Sequence, residues 1–123
     1  MKIVIANSVG VDSKGYHMVH VPSRWSLGVK NFTNCSYYPW ELAYTSSLLK
    51  RDTKHDVKFL DGVLNAWDFH AYLERLRLER PDWLVMESST RTIGEDLRLA
   101  QAAKEEFGTR VIMTGQHPMA NPE

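Results

Sequence analysis

Three short polar segments, each following an apolar run, carry the residues best suited to grip a ligand. Ser8 and Val9 follow Ile3-Val4-Ile5-Ala6. Ser88, Ser89 and Thr90 follow Trp83-Leu84-Val85-Met86, and Thr114, Gly115, Gln116 and His117 follow Val111-Ile112-Met113. The hydroxyls are small, neutral donors and acceptors able to line a narrow slot. Gly115 lets a backbone approach a flat ligand, with Gln116 and His117 beside it. Each has a plainer alternative. Ser88 to Thr90 also read as a strand exit leading to a helix cap at Thr92, Gly115 as an ordinary turn glycine, and His117 as polar packing. Neutral hydrogen bonding is binding chemistry, and no residue of the set is assigned to catalysis.

Other chemistries find less support. His17 and His20 lie three apart and, with Cys35, could form part of a metal site. No second cysteine joins them, and a loop histidine is usually solvated, so no metal ligand is assigned. Asp61 ends an apolar run where dinucleotide-binding folds place the acid that holds a ribose. The segment Asn7-Ser8-Val9-Gly10-Val11 offers one glycine where Gly-x-Gly-x-x-Gly is needed, which argues against a dinucleotide. There is no Gly-x-Ser-x-Gly elbow and no phosphate-loop Lys-Ser/Thr.

Four apolar runs alternate with three amphipathic stretches, the pattern of βα units around a parallel sheet. Runs one, three and four are continuous, as strands covered on both faces should be. The second, Val57-Lys58-Phe59-Leu60, is interrupted by a lysine and suits an edge. Helix one is expected over Pro39 to Arg51, with Leu42, Thr45, Leu48 and Leu49 on one face. Asp68 caps helix two, whose inward stripe is Phe69, Tyr72, Leu73 and Leu76, and Pro81 stops it. Helix three opens on Thr92-Ile93-Gly94-Glu95, a capping box, and turns Ile93, Leu97, Ala100 and Phe107 inward before Gly108 ends it.

The connection from Ser8 to Tyr38 is about thirty residues, against roughly two to six for a usual βα loop. Lying after the first strand, it belongs at the carboxyl edge of the sheet, where open α/β folds bind ligands. Trp25, Tyr37, Tyr38 and Trp40 within or beside it either pack on a large flat ligand or anchor the loop. Strand four is followed by Asn121-Pro122-Glu123 with no further strand or helix expected. It should present a raw edge, open to self-association, in a fold lacking its last βα unit.

With 123 residues and 43% apolar content, residues 1–123 form one globular domain. Fifteen basic and fifteen acidic side chains cancel, so no nucleic-acid or anionic-membrane surface is indicated. No apolar stretch approaches the roughly 20 residues of a membrane span. The single Cys35 forms no internal disulfide, consistent with a cytoplasmic chain, and cannot alone hold an iron–sulfur cluster.

Several segments resemble the N-terminal cobalamin-binding domains of B12-dependent radical SAM enzymes. Tyr38-Pro39-Trp40-Glu41-Leu42-Ala43-Tyr44, then His55-Asp56-Val57 and Leu60-Asp61, is similar to that family's Tyr-Pro-Pro-Leu-Gly-Leu-Ala-Tyr, His-Glu-Val and strand ending in Asp. Pro81-Asp82-Trp83-Leu84-Val85 with Ser88-Ser89-Thr90 looks like its third strand and Ser/Thr-rich exit. Thr114-Gly115-Gln116-His117-Pro118 with Asn121-Pro122-Glu123 resembles its Gly-Gly-x-His-Pro/Ala and Pro-Glu segments. The matches run in order from residue 2 to the end. Trp40-Glu41 replaces the frequent Leu-Gly, and Thr114 the first of two glycines. Lys14 stands where methionine-synthase-type domains carry the histidine that ligates cobalt, a departure shared with the radical SAM branch.

The resemblance implies a Rossmann-like, flavodoxin-like α/β fold with a parallel sheet in order 2-1-3-4 and helices on both faces. It implies that cobalamin is held by Ser8, Val9, Ser88, Ser89, Thr90, Thr114, Gly115, Gln116 and His117, its nucleotide tail entering the sheet edge. S-adenosylmethionine and the 4Fe-4S cluster would reside in a downstream radical SAM domain, and methyl transfer is one reaction such a parent performs. Two alternatives stand beside it: a degenerate Rossmann-like docking or substrate-contacting module without cobalamin, and a small nucleotide- or flavin-binding α/β protein.

Overall fold

The computed structural model describes residues 1–20, 26–30 and 37–122. Four parallel strands form the central sheet: β1 (Lys2–Ala6), β4 (Asp56–Leu60), β5 (Trp83–Glu87) and β6 (Arg110–Thr114), side by side in the order β4-β1-β5-β6. A second, two-stranded antiparallel sheet pairs β2 (His17–His20) with β3 (Ser26–Val29). The helices are α1 (Trp40–Asp52), α2 (Phe69–Glu79), α3 (Ile93–Phe107) and the short α4 (Gln116–Ala120).

The alternation of side chains along β1 explains why its run is unbroken. Ile3 and Ile5 pack with Val57 and with Leu42 of α1. Val4 and Ala6 point the other way, into a cluster with Tyr72, Leu73 and Leu76 of α2 and Leu99 and Ala103 of α3. Helices therefore cover both faces, α1 on one, α2 and α3 on the other. Lys58 is exposed on β4, at one end of the sheet. At the other end β6 pairs with β5 alone among the described residues, and Ile112 is 44% exposed.

Helix α2 follows its sequence signals: Asp68 accepts the Ala71 N–H at 2.8 Å, and the left-handed Arg80 precedes a buried Pro81. Helix α3 departs from expectation. The Thr92 side chain makes no cap bond; its Oγ1 instead accepts the Ser89 N–H at 3.2 Å, and Glu95 lies 3.6 Å from Arg98. The inward stripe is Asp96, Leu99, Ala100 and Ala103, while Leu97 is 51% exposed. A buried carboxylate turns this helix from the face that apolar residues alone select. On α1 the inward positions are Leu42, Ser46 and Leu49, with Thr45 and Leu48 outward. The long connection is partly regular: β2 and β3 pair within it, and Val9 and Met18 are fully buried. A five-residue helix, α4, follows β6, where none was expected. Among the described residues no helix is long and apolar enough to cross a membrane.

Candidate functional site

The chain leaves β1 toward α1 on one face and leaves β5 toward α3 on the other. That reversal sets the switch point of the sheet at the carboxyl ends of β1 and β5, the usual binding position in open α/β sheets. A buried polar network lies there. Asn7 donates from Nδ2 to Asp61 Oδ1 at 3.0 Å and accepts the Ser8 N–H at 3.0 Å. Asp61 also accepts the Leu64 N–H at 2.9 Å, which commits this carboxylate to the turn after β4. The Tyr72 hydroxyl donates to the Asn7 carbonyl at 2.7 Å.

Asp96 joins the two exits. Its Oδ1 accepts the Val9 N–H at 2.9 Å, and its Oδ2 accepts the Ser88 hydroxyl at 2.6 Å. One side chain from the first turn of α3 thus ties the exits of β1 and β5 together. Burial raises its pKa to about 6, against the opposing pull of hydrogen bonds from Ser88, Thr92 and the Val9 backbone. Burial, then the nearby Asp96 and Asp61 charges, pushes the Tyr72 hydroxyl well up from its ordinary value.

The exits of β5 and β6 meet at backbone contact. The Ser88 N–H donates to the Thr114 carbonyl at 2.9 Å. Gly115 has φ +110°, and a Cβ there would lie 2.2 Å from the Ser88 carbonyl oxygen. Glycine is required by both sterics and backbone, and the close approach it permits is to Ser88. Gly10 does the same on the β1 side, where a Cβ would fall 2.0 Å from the Gly62 carbonyl oxygen. Above this layer the Thr90 hydroxyl and His117 Nδ1 are 3.1 Å apart, bridging the two exits.

All nine sequence-predicted residues therefore gather at one edge, in two layers. Ser8, Val9, Ser88 and Gly115 are buried. Ser8 Oγ lies 3.4 Å from His20 Nε2, and the Ser88 hydroxyl belongs to Asp96. Ser89, Thr114 and His117 are half-buried, while Thr90 and Gln116 are exposed. The accessible members carry hydroxyl, amide and imidazole groups, with the charged Arg91 directly beside Thr90. Lys14 sits in a tight turn, its N–H donating to Asp12 Oδ1 at 3.0 Å. Asp12 in turn pairs with Arg91 at 3.2 Å, joining this turn to the β5–α3 loop. Tyr38 and Trp40 meet edge to face at 5.1 Å and are both exposed. Trp25 and Cys35 lie outside the described residues. Among the described residues no three His, Cys, Asp or Glu side chains are grouped to hold a metal.

Sequence reasoning missed Asp96, Asn7 and Tyr72 as members of the edge. Position 96 shares a helix face with Ala100 and Ala103, but an acid there reads locally as solvated. Comparison with family models, curated proteins and solved structures finds no match to this chain.

Proposed function

We propose that this chain holds cobalamin at the carboxyl edge of its sheet, as the cofactor-holding domain of a cytoplasmic B12-dependent radical SAM enzyme. In this reading the fold is flavodoxin-like, in order 2-1-3-4, and a further domain carries the cluster and S-adenosylmethionine. The observation that carries it is the cluster of hydroxyl, amide and imidazole side chains of Ser89, Thr90, Gln116 and His117 above the locked exits of β1, β5 and β6. Bound cobalamin supplies methyl-transfer or radical chemistry, and the protein positions it. Ser89 and Thr90 offer hydroxyls to the nucleotide tail, Thr90 orients His117, and Lys14, a cation, is a poor cobalt ligand.

The commitment of Ser8, Ser88 and Gly115 to internal contacts favours a second reading, a docking module that has lost cobalamin. Titration with hydroxocobalamin, followed by absorbance and calorimetry, separates the two. On the first reading the chain binds, Ser89→Leu and Thr90→Leu weaken binding about tenfold or more, and Lys14→Ala and His17→Ala leave it unchanged. Absence of binding, or wild-type affinity in both leucine variants, overturns the proposed site. Gly115→Leu is not a fair probe, because its side chain would strike the Ser88 carbonyl.

A further inference from the structure

Helix α1 has a second face. Its sheet side is Leu42, Ser46 and Leu49, and at 100° per residue the opposite side is Trp40, Ala43, Tyr44, Ser47, Leu48 and Arg51. These positions are spaced 3, 1, 3, 1 and 3, a single stripe over the full helix. Tyr44 is 66% exposed, Trp40 55% and Leu48 41%. A groove of about 410 Å³ runs along them, beginning at Tyr38. Trp, Tyr and Arg on an outward helix face are the residue types that anchor protein contacts.

The stripe is complementary to itself. When two copies of α1 lie antiparallel about a two-fold axis between positions 45 and 46, residue i faces residue 91 minus i. Trp40 then faces Arg51 of the second copy, Tyr44 faces Ser47, and Ala43 faces Leu48. Each pair joins a large group to a small one, or a ring to a cation. The Ala43 and Ser47 notch receives Leu48 and Tyr44, and the guanidinium of Arg51 stacks on indole. Arg51 already pairs with Asp52 at 2.6 Å, an exposed ion pair that leaves the flat face of the guanidinium available for stacking. The acidic first turn, with Glu41, falls opposite the basic last turn, with Lys50 and Arg51, and the two helix dipoles oppose.

We propose that the outer face of α1 is a two-fold interface with a second copy of this chain. It is separate from the edge of β6 and leaves the carboxyl rim of the sheet open. One helix pair falls at the small end of specific interfaces, below roughly 1,200 Å², so the dimer is weak and concentration-dependent.

Sedimentation velocity from about 5 to about 500 µM tests it, over a range that brackets weak association. A monomer–dimer equilibrium is expected. Tyr44→Asp should weaken it about tenfold or more, since two carboxylates then meet near the axis, and Ser47→Arg should do likewise by overfilling the notch. The double variant Tyr44→Asp with Ser47→Arg should recover most of the association, because each new carboxylate faces a new guanidinium across the axis. Circular dichroism of all three should match wild type, as both positions are exposed. A monomer at every concentration overturns the proposal and leaves the stripe to a different partner. A dimer indifferent to Tyr44→Asp, or singles not rescued by the double variant, overturns it equally.

Discussion

Replacing Asp96 by asparagine tests whether its carboxylate is buried between the exits of β1 and β5. In the folded chain burial holds Asp96 near a pKa of about 6, against 3.8 for an unperturbed aspartate. Between those values the folded state binds the proton more tightly than the unfolded state. By linkage, stability from this group therefore rises as pH falls from about 6 toward 4, the reverse of the usual carboxylate behaviour. Relative to pH 7, the gain at pH 4.5 is about 2 kcal/mol, approaching about 3 kcal/mol once both states are protonated. Asp52 and Glu106, whose pKa values are lowered by hydrogen bonds from Arg51 and Arg77, run in the opposite direction. They would mask the effect in wild type alone but cancel in the difference between wild type and variant.

The asparagine introduced by Asp96→Asn takes up no proton in this range, yet its amide oxygen can still accept the Val9 N–H, and Ser88 can turn to accept from its NH₂. The fold should therefore survive. Urea unfolding followed by fluorescence of the four tryptophans, at pH 7, 6, 5 and 4.5, measures the gap. Wild type should gain about 2 kcal/mol on Asp96→Asn across that range. Parallel pH profiles would refute the reasoning, because burial would then not be holding Asp96 above its ordinary value.

Two further substitutions probe the same edge. Gly115→Ala places a Cβ 2.2 Å from the Ser88 carbonyl at a φ of +110°, and should cost on the order of 2–4 kcal/mol; a melting temperature unchanged from wild type would show that the exits of β5 and β6 part freely. Tyr72→Phe removes the hydroxyl that donates to the Asn7 carbonyl. It should cost about 1–2 kcal/mol in urea unfolding, and a neutral result would mean that water or another donor takes its place.

What was legible follows from the range of the interactions involved. Ile3 to Ala6 reads as a buried strand because both faces of β1 meet helices, and each residue reports that locally. The α2 stripe of Tyr72, Leu73 and Leu76, with its Asp68 cap, is legible for the same reason. The β2–β3 hairpin is not, since His17-Met18-Val19-His20 is four residues long and no Asn-Gly or Asp-Gly turn marks it. The inward face of α3 was misread at Leu97 because an apolar stripe gives no reason to bury Asp96. That reason lies 87 residues away, at the Val9 N–H. Thr92 illustrates the same limit: its spacing to Glu95 fits a capping box, yet its hydroxyl turns toward Ser89.

The two layers of the edge have different consequences for recognition. A hydroxyl already donated at 2.6 Å to a buried carboxylate, as at Ser88, has little left to offer a ligand. Its contribution is to fix where the next residues stand. Ser89 and Thr90 inherit that position, and Thr90 passes it to His117 across the gap between β5 and β6. Val9 is fixed by the same carboxylate, so the exits of β1 and β5 move together or not at all. A ligand on the rim therefore meets a surface whose geometry is set before it arrives, which lowers the ordering cost of binding. Any ligand that had to enter between the exits would first break the bonds of Asp96. The proposed cobalamin tail is thus expected above that carboxylate, against Ser89 and Thr90.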